Sequence, residues 1–136
     1  MSARLSVLWE GEEGSSDISL MLYRLNGDYN PLHAVPEVGV KMGLGGVIVH
    51  GLYTYSSTCH GLLRKMCNGT ASRLKVYQAR FVSPVRPGDK LTTDMWSMGM
   101  VDGLEEVRFT TRKENGQIVL GNGRAMIVPV SPRCSL

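Results

Sequence analysis

Cysteine, large aromatics, long apolar runs and charge blocks are all scarce in this chain, and each shortage removes a class of function. The three cysteines, Cys59, Cys67 and Cys134, form an odd set with no C-x-x-C or Cys/His ligand spacing. A disulfide framework and a zinc site are therefore not expected, and a reduced, intracellular protein fits best. No phosphate-cradling glycine motif of the dinucleotide type is present, so neither a metal nor an organic cofactor is expected. The opening MSARLSVLWEGEEG reaches acidic and glycine residues too soon for a signal-peptide core, and no later apolar run is long enough to cross a bilayer. No membrane association is expected. The final Cys134-Ser135-Leu136 is near the peroxisomal S-K-L ending but has Ser in place of the basic residue, which leaves a cytoplasmic or peroxisomal address.

What the chain has is the makeup of one ordinary domain: 136 residues, 43% apolar and 20% charged. The formal charge of +3 suits an anionic ligand, but its basic residues are scattered and do not point to nucleic acid. No repeat or low-complexity tract divides the chain, so residues 1–136 are expected to form a single domain. Ser16-Asp17 followed by Ile18, Leu20, Met21, Leu22 and Leu25 predicts a short capped helix stopped by Asn26-Gly27, with a loop from Asp28 to Pro36. Between Gly51 and Cys67, Leu52, Tyr55, Cys59, Leu62 or Leu63, and Met66 recur at the helical period, ahead of a stop at Asn68-Gly69. The Leu, Met and Tyr residues of that helix are expected inside.

The second half changes period. Leu74 to Val82 alternates as a strand and ends at Pro84 and Pro87-Gly88-Asp89, and Leu91 to Met100 follows as another. Glu105 to Lys113 sets Val107, Phe109 and Thr111 on one face, and Asn115-Gly116 is a hairpin turn into Ile118 to Val128. A helical half followed by about four long antiparallel strands reads as α+β, a hot dog fold in which a curved sheet wraps one long central helix.

The densest reactive cluster is Asn26-Gly27-Asp28-Tyr29-Asn30-Pro31-Leu32-His33. A carboxylate and an imidazole on an irregular loop can face one pocket and share proton transfer near neutral pH. On spacing alone, a turn-forming Asp28 with a surface or satisfied core His33 is the favoured reading of the loop. A second feature is His50-Gly51 at the start of the long helix, where free N–H groups and the dipole favour a developing oxyanion. Gly51 would also let a carbonyl come close, although a plain helix start is as good a reading of that feature alone. His60 reads as a packed or exposed helix residue, and the methionines, Met95, Met98 and Met100 among them, as core filling.

The segment from Tyr23 to His33 closely resembles the signature of MaoC-like (R)-specific enoyl-CoA hydratases, approximately Y-x-x-S-G-D-x-N-P-(L/I/V)-H. The likeness continues through Val49-His50-Gly51-Leu52, similar to I-x-H-G-(L/M), and through Ala79 to Asp89, similar to A-R-F-x-x-P-V-x-P-G-D. This resemblance implies a hot dog protein whose Asp28 and His33 hold the reacting water. Asn30 would support the site, and the Gly51 amide would form part of the oxyanion hole. His50, Arg80 and Arg86 are expected to meet the substrate, a trans-2-enoyl thioester of CoA type that gains or loses water. A homodimer is expected, because a second copy would cover the sheet edge and complete an acyl tunnel. Val35 replaces the family's usual Asp or Asn, and Gly43-Leu44-Gly45-Gly46-Val47 replaces a more polar, proline-containing stretch. These departures leave the chemistry intact and the identity of the substrate open. The alternatives are a dehydratase or double-bond isomerase tailoring a polyketide-type metabolite, and a non-catalytic acyl-CoA-binding hot dog protein.

Overall fold

The structure, a computed structural model, describes residues 4–9 and 17–130, with side chains from Leu20 to Val130. The helix predicted after Ser16 is α1, Asp17–Arg24; its expected capping residue Ser16 lies outside the described residues, as does Cys134-Ser135-Leu136. The long helix is α3, Gly51–Met66, and strands β2 (Leu74–Phe81), β3 (Leu91–Val101), β4 (Leu104–Lys113) and β5 (Ile118–Ile127) match the four expected ones. Two elements were not foreseen. β1, Arg4–Trp9, pairs antiparallel with β3, and α2, Pro36–Lys41, occupies part of the segment after the Asp28 loop.

The sheet runs β1-β3-β4-β5-β2, all antiparallel. Its register slips in the β2–β5, β3–β4 and β4–β5 pairings, and such bulges bend strands and raise their twist. Gly123 sits opposite Phe109 with so little room that a Cβ there would come within 2.4 Å of the Phe109 ring, so only glycine lets that ring lie flat across the sheet. The inner face then receives α3: Leu62 and Cys67 pack with Met95, Val107, Phe109, Ala125 and Ile127. A side chain such as Phe109 or Leu62, withdrawn from water, contributes about 1.5–3 kcal/mol. This is the α+β hot dog arrangement, with one long helix against an antiparallel sheet.

The buried face of α3 differs from the predicted one. Thr54, Thr58 and Leu62, spaced by four, are its buried residues, whereas Leu52 is 59% exposed and Tyr55 and Cys59 are only half-buried. Buried hydroxyls are tolerated because they are bonded: Thr111 Oγ1 lies 3.3 Å from Thr58 Oγ1 and 2.8 Å from Thr93 Oγ1. Tyr55 instead looks sideways to β2. Its hydroxyl donates to the Tyr77 carbonyl at 3.0 Å, and the Tyr77 hydroxyl donates back to the Tyr55 carbonyl at 2.9 Å. α3 ends as expected at Asn68 and Gly69, both left-handed, where the Gly69 N–H donates to the Leu63 carbonyl.

Candidate active site

Local chemistry shapes the loop after α1. Gly27, at φ 104°, turns the chain out of the helix. The Asp28 carboxylate then accepts the Asn30 N–H at 3.1 Å, and the Asn30 side-chain oxygen accepts the Leu32 N–H at 3.0 Å. These two bonds cap a 3-10 turn, Pro31–His33, whose first residue needs no donor because it is proline. The turn delivers His33 to the start of α3. There the His33 Nδ1 donates to the Ile48 carbonyl at 2.8 Å, and since a carbonyl only accepts, the proton sits on Nδ1 and Nε2 is the ring's free position. Asn30 thus caps the turn that carries His33.

The strand-like approach to α3 is fixed in turn by the Val49 N–H, which donates to the Val85 carbonyl at 2.7 Å. Gly51 is the first residue of α3, so the helix offers its N–H no internal acceptor. His33, Ile48, Gly51, Thr54, Phe81 and Val85 line one cleft of about 280 Å³, with Leu120 and Val119 in its walls. His33 and Gly51 thus share one cleft, whereas Asp28, expected to face the same pocket as His33, is not among the residues that line it. Asp28 stands beside it: ligand-type atoms of Asp28, His33 and His50 all lie within 4.8 Å of one another. One water can bridge a gap of that size with two ordinary hydrogen bonds of about 2.8 Å.

His50 is placed differently from the expected substrate contact. It is 1% exposed, stacks on the His33 ring at 3.9 Å between centroids, and touches Tyr23 from the other side at 4.5 Å. Both of its ring nitrogens are buried without a hydrogen-bond partner, and Nε2 lies 3.9 Å from the Asp28 carboxylate. Burial, then the neighbouring His33, holds its pKa below the usual histidine value, against a smaller opposing pull from Asp28. A buried neutral imidazole stacked on His33 is the result.

The two arginines expected to meet the substrate do not line the cleft. The Arg86 guanidinium donates to the Leu44 carbonyl and lies against Gly45, so it braces the glycine-rich segment rather than facing the cleft. Arg80 is exposed and belongs to a neighbouring polar depression with Thr110 and Asn122, joined to the cleft only through the shared Phe81 and Val82. Sequence spacing also hid the clustering of Asp28, His33 and His50, a set with metal-ligand chemistry where no ligand cluster was expected. Its geometry suits an ion poorly, because rings stacked at 25° hold their in-plane lone pairs side by side instead of converging. The thiols of Cys59 and Cys67 are raised in pKa by burial, so neither offers a ready thiolate.

Comparison with known proteins gives this geometry a family. The family model described as a MaoC like domain matches residues 10–117. A probable dehydratase, NIT22, from Ajellomyces capsulatus is 44% identical over 80% of this chain and 31% of its own length. Enoyl-CoA hydratase 2, peroxisomal, from Arabidopsis thaliana is 37% identical over 80% of this chain and 34% of its own. The chain therefore spans about a third of the length of these relatives. Among solved structures, a MaoC-like dehydratase from Phytophthora capsici superposes with a TM-score of 0.74 at 29% identity, covering 93% of this chain and 39% of that one. An (R)-hydratase from A. caviae involved in PHA biosynthesis superposes with a TM-score of 0.71 at 22% identity, covering 95% of each, and supports the fold. With the matched model spanning most of its length, the chain belongs to the MaoC-like dehydratase family.

Proposed function

We propose that this protein is an (R)-specific hydro-lyase that adds water to a trans-2-enoyl thioester, or removes it from the (3R)-hydroxyacyl thioester. The observation that carries this reading is the single cleft lined by both His33 and Gly51, with the Asp28 carboxylate close to the His33 ring. The Gly51 N–H at the positive end of α3 donates a hydrogen bond to the thioester oxygen as that oxygen gains negative charge on attack at C3. Asp28 and His33 hold the water between them, pass its hydroxyl to C3 and return a proton to C2 from the same side. Hydration consumes one water and leaves no net proton, so the pair ends as it began. No metal or organic cofactor takes part in this scheme.

The enoyl-CoA hydratase names of several relatives support a CoA-type carrier, and those relatives named peroxisomal support a peroxisomal or cytoplasmic setting. Among the described residues no helix is long and apolar enough to cross a membrane. A homodimer formed by one domain of residues 1–136 is part of the proposal. It is supported by the exposed apolar side chains Leu22, Leu25, Leu52, Phe81 and Val82, which in isolation would face water. A second reading, dehydration or isomerisation of a polyketide-type thioester, is favoured by the glycine-rich segment that Arg86 braces beside the cleft. The test is to mix purified protein with trans-2-enoyl-CoA, follow loss of the conjugated enoyl absorbance and determine the chirality of the product. Formation of the (3R)-hydroxyacyl thioester is expected, and absence of turnover with every enoyl thioester would leave the acyl-CoA-binding role.

A further inference from the structure

Thr54, on the buried face of α3, lines both the 280 Å³ cleft and a second, far smaller void of about 10 Å³. That void is walled by Ser57, Thr58, Thr93 and Thr111 together with Gly61 and Met95. Its size is the minimum for one water, and the hydroxyls of Thr58, Thr93 and Thr111 already bond to one another across it. An alkyl chain pushed past Thr54 would meet packed hydroxyls, gain little apolar contact and separate a buried hydrogen-bonded set.

Which end of the substrate meets this wall follows from size. A nucleotide-bearing carrier is far too large and polar to enter, so it stays on the open side, and with the thioester at Gly51 the acyl group must point inward. Resting on the hydratase reading above, we propose that the site selects short-chain enoyl thioesters, with Thr54 as the stop that sets the limit. The front of the cleft, Ile48, Val49, Val85 and Leu120, is apolar and accepts the first carbons beyond the double bond. The Thr54 wall refuses the rest.

The experiment measures kcat/KM for crotonyl-CoA, trans-2-hexenoyl-CoA and trans-2-decenoyl-CoA, and in parallel the affinity of the same three by calorimetry. The protein is used as the full chain, with Thr54→Ala and Thr54→Val as variants. Crotonyl-CoA or hexenoyl-CoA should lead, with decenoyl-CoA lower by about tenfold or more, as for forced overpacking of a filled interior. Thr54→Ala, which opens the wall, should move the optimum toward longer chains. Thr54→Val, which keeps the volume and removes only the hydroxyl, should keep the short-chain limit and serves as the check if the alanine variant folds poorly. A wild-type preference for decenoyl-CoA, or an unchanged ranking in folded Thr54→Ala, would overturn the inference. If no thioester turns over, the hydratase reading fails by itself, and the calorimetric ranking still decides the chain-length limit: tighter binding of the short acyl groups supports it, and equal or tighter binding of decenoyl-CoA overturns it.

Discussion

The imidazoles of His33 and His50 lie face to face, 3.9 Å between centroids and 25° from parallel, with only one of the two opening on the cleft. Stacking fixes the plane of the working ring from behind, while the Nδ1 bond to the Ile48 carbonyl fixes its rotation. Two neighbouring imidazolium rings would repel each other, so the buried one stays neutral.

That neutrality makes stability pH-dependent. His50 has a lower pKa folded than unfolded, so below about pH 6.5 the unfolded chain takes up a proton that the native state does not. Its contribution is fully present above that pH and is lost as pH falls toward the lowered native value. Urea unfolding midpoints measured between pH 7.5 and 5, as a range of about two units around the free histidine value, should fall with acid. His50→Phe, which keeps a stacked ring without the titrating nitrogens, should flatten the slope. An identical slope in that variant would show that other groups cause it.

Gly51 is crowded as well as chemically placed. A Cβ there would stand 3.0 Å from the Phe81 ring, so Gly51→Val should lower both the thermal midpoint and turnover. Shortening the obstacle with Phe81→Leu in the same chain should restore the midpoint. Turnover should stay down by about tenfold or more, because the new side chain still covers the N–H that receives the oxyanion. Recovery of full activity in the double variant would make Gly51 a packing residue only.

The reciprocal bonds between Tyr55 and Tyr77 tie α3 to the edge strand β2. Tyr77→Phe should destabilise the fold by about 1–1.5 kcal/mol in urea unfolding, since one bond is lost and the Tyr55 carbonyl is left without that donor. A change within experimental error would mean that water replaces the hydroxyl without cost.

The strands were legible because period-two alternation survives any tertiary context: Val107, Phe109 and Thr111 are all buried, as their parity demanded. The helix was legible in position but not in orientation. Apolar spacing favoured Leu52, Tyr55 and Cys59, while Thr54 and Thr58 went inside, Thr58 with a hydroxyl partner, Thr111, supplied by the sheet. Their spacing of four from each other and from Leu62 was the available signal. α2 was hidden by Pro36 and by Gly39, a residue usually read as loop; Gly39 is required because a Cβ there would collide with the Gly46 carbonyl. Within the site, the loop chemistry of Asp28, Asn30 and His33 could be read locally. The burial of His50 behind His33, and the engagement of Arg86 by Leu44, depend on contacts between segments far apart in the chain, which no local pattern records.

The central claim is that Asp28 and His33 work on one water as a unit, and a double-mutant cycle on the preferred enoyl thioester tests it most directly. Asp28→Asn and His33→Ala should each lower turnover by about a hundredfold or more, with unfolding midpoints close to that of the parent. The double variant should lose scarcely more than the worse single variant, because residues acting together are strongly non-additive. Asn30→Ala should cost less, as it loosens only the turn that presents His33. Near-normal turnover in folded Asp28→Asn and His33→Ala would contradict the account.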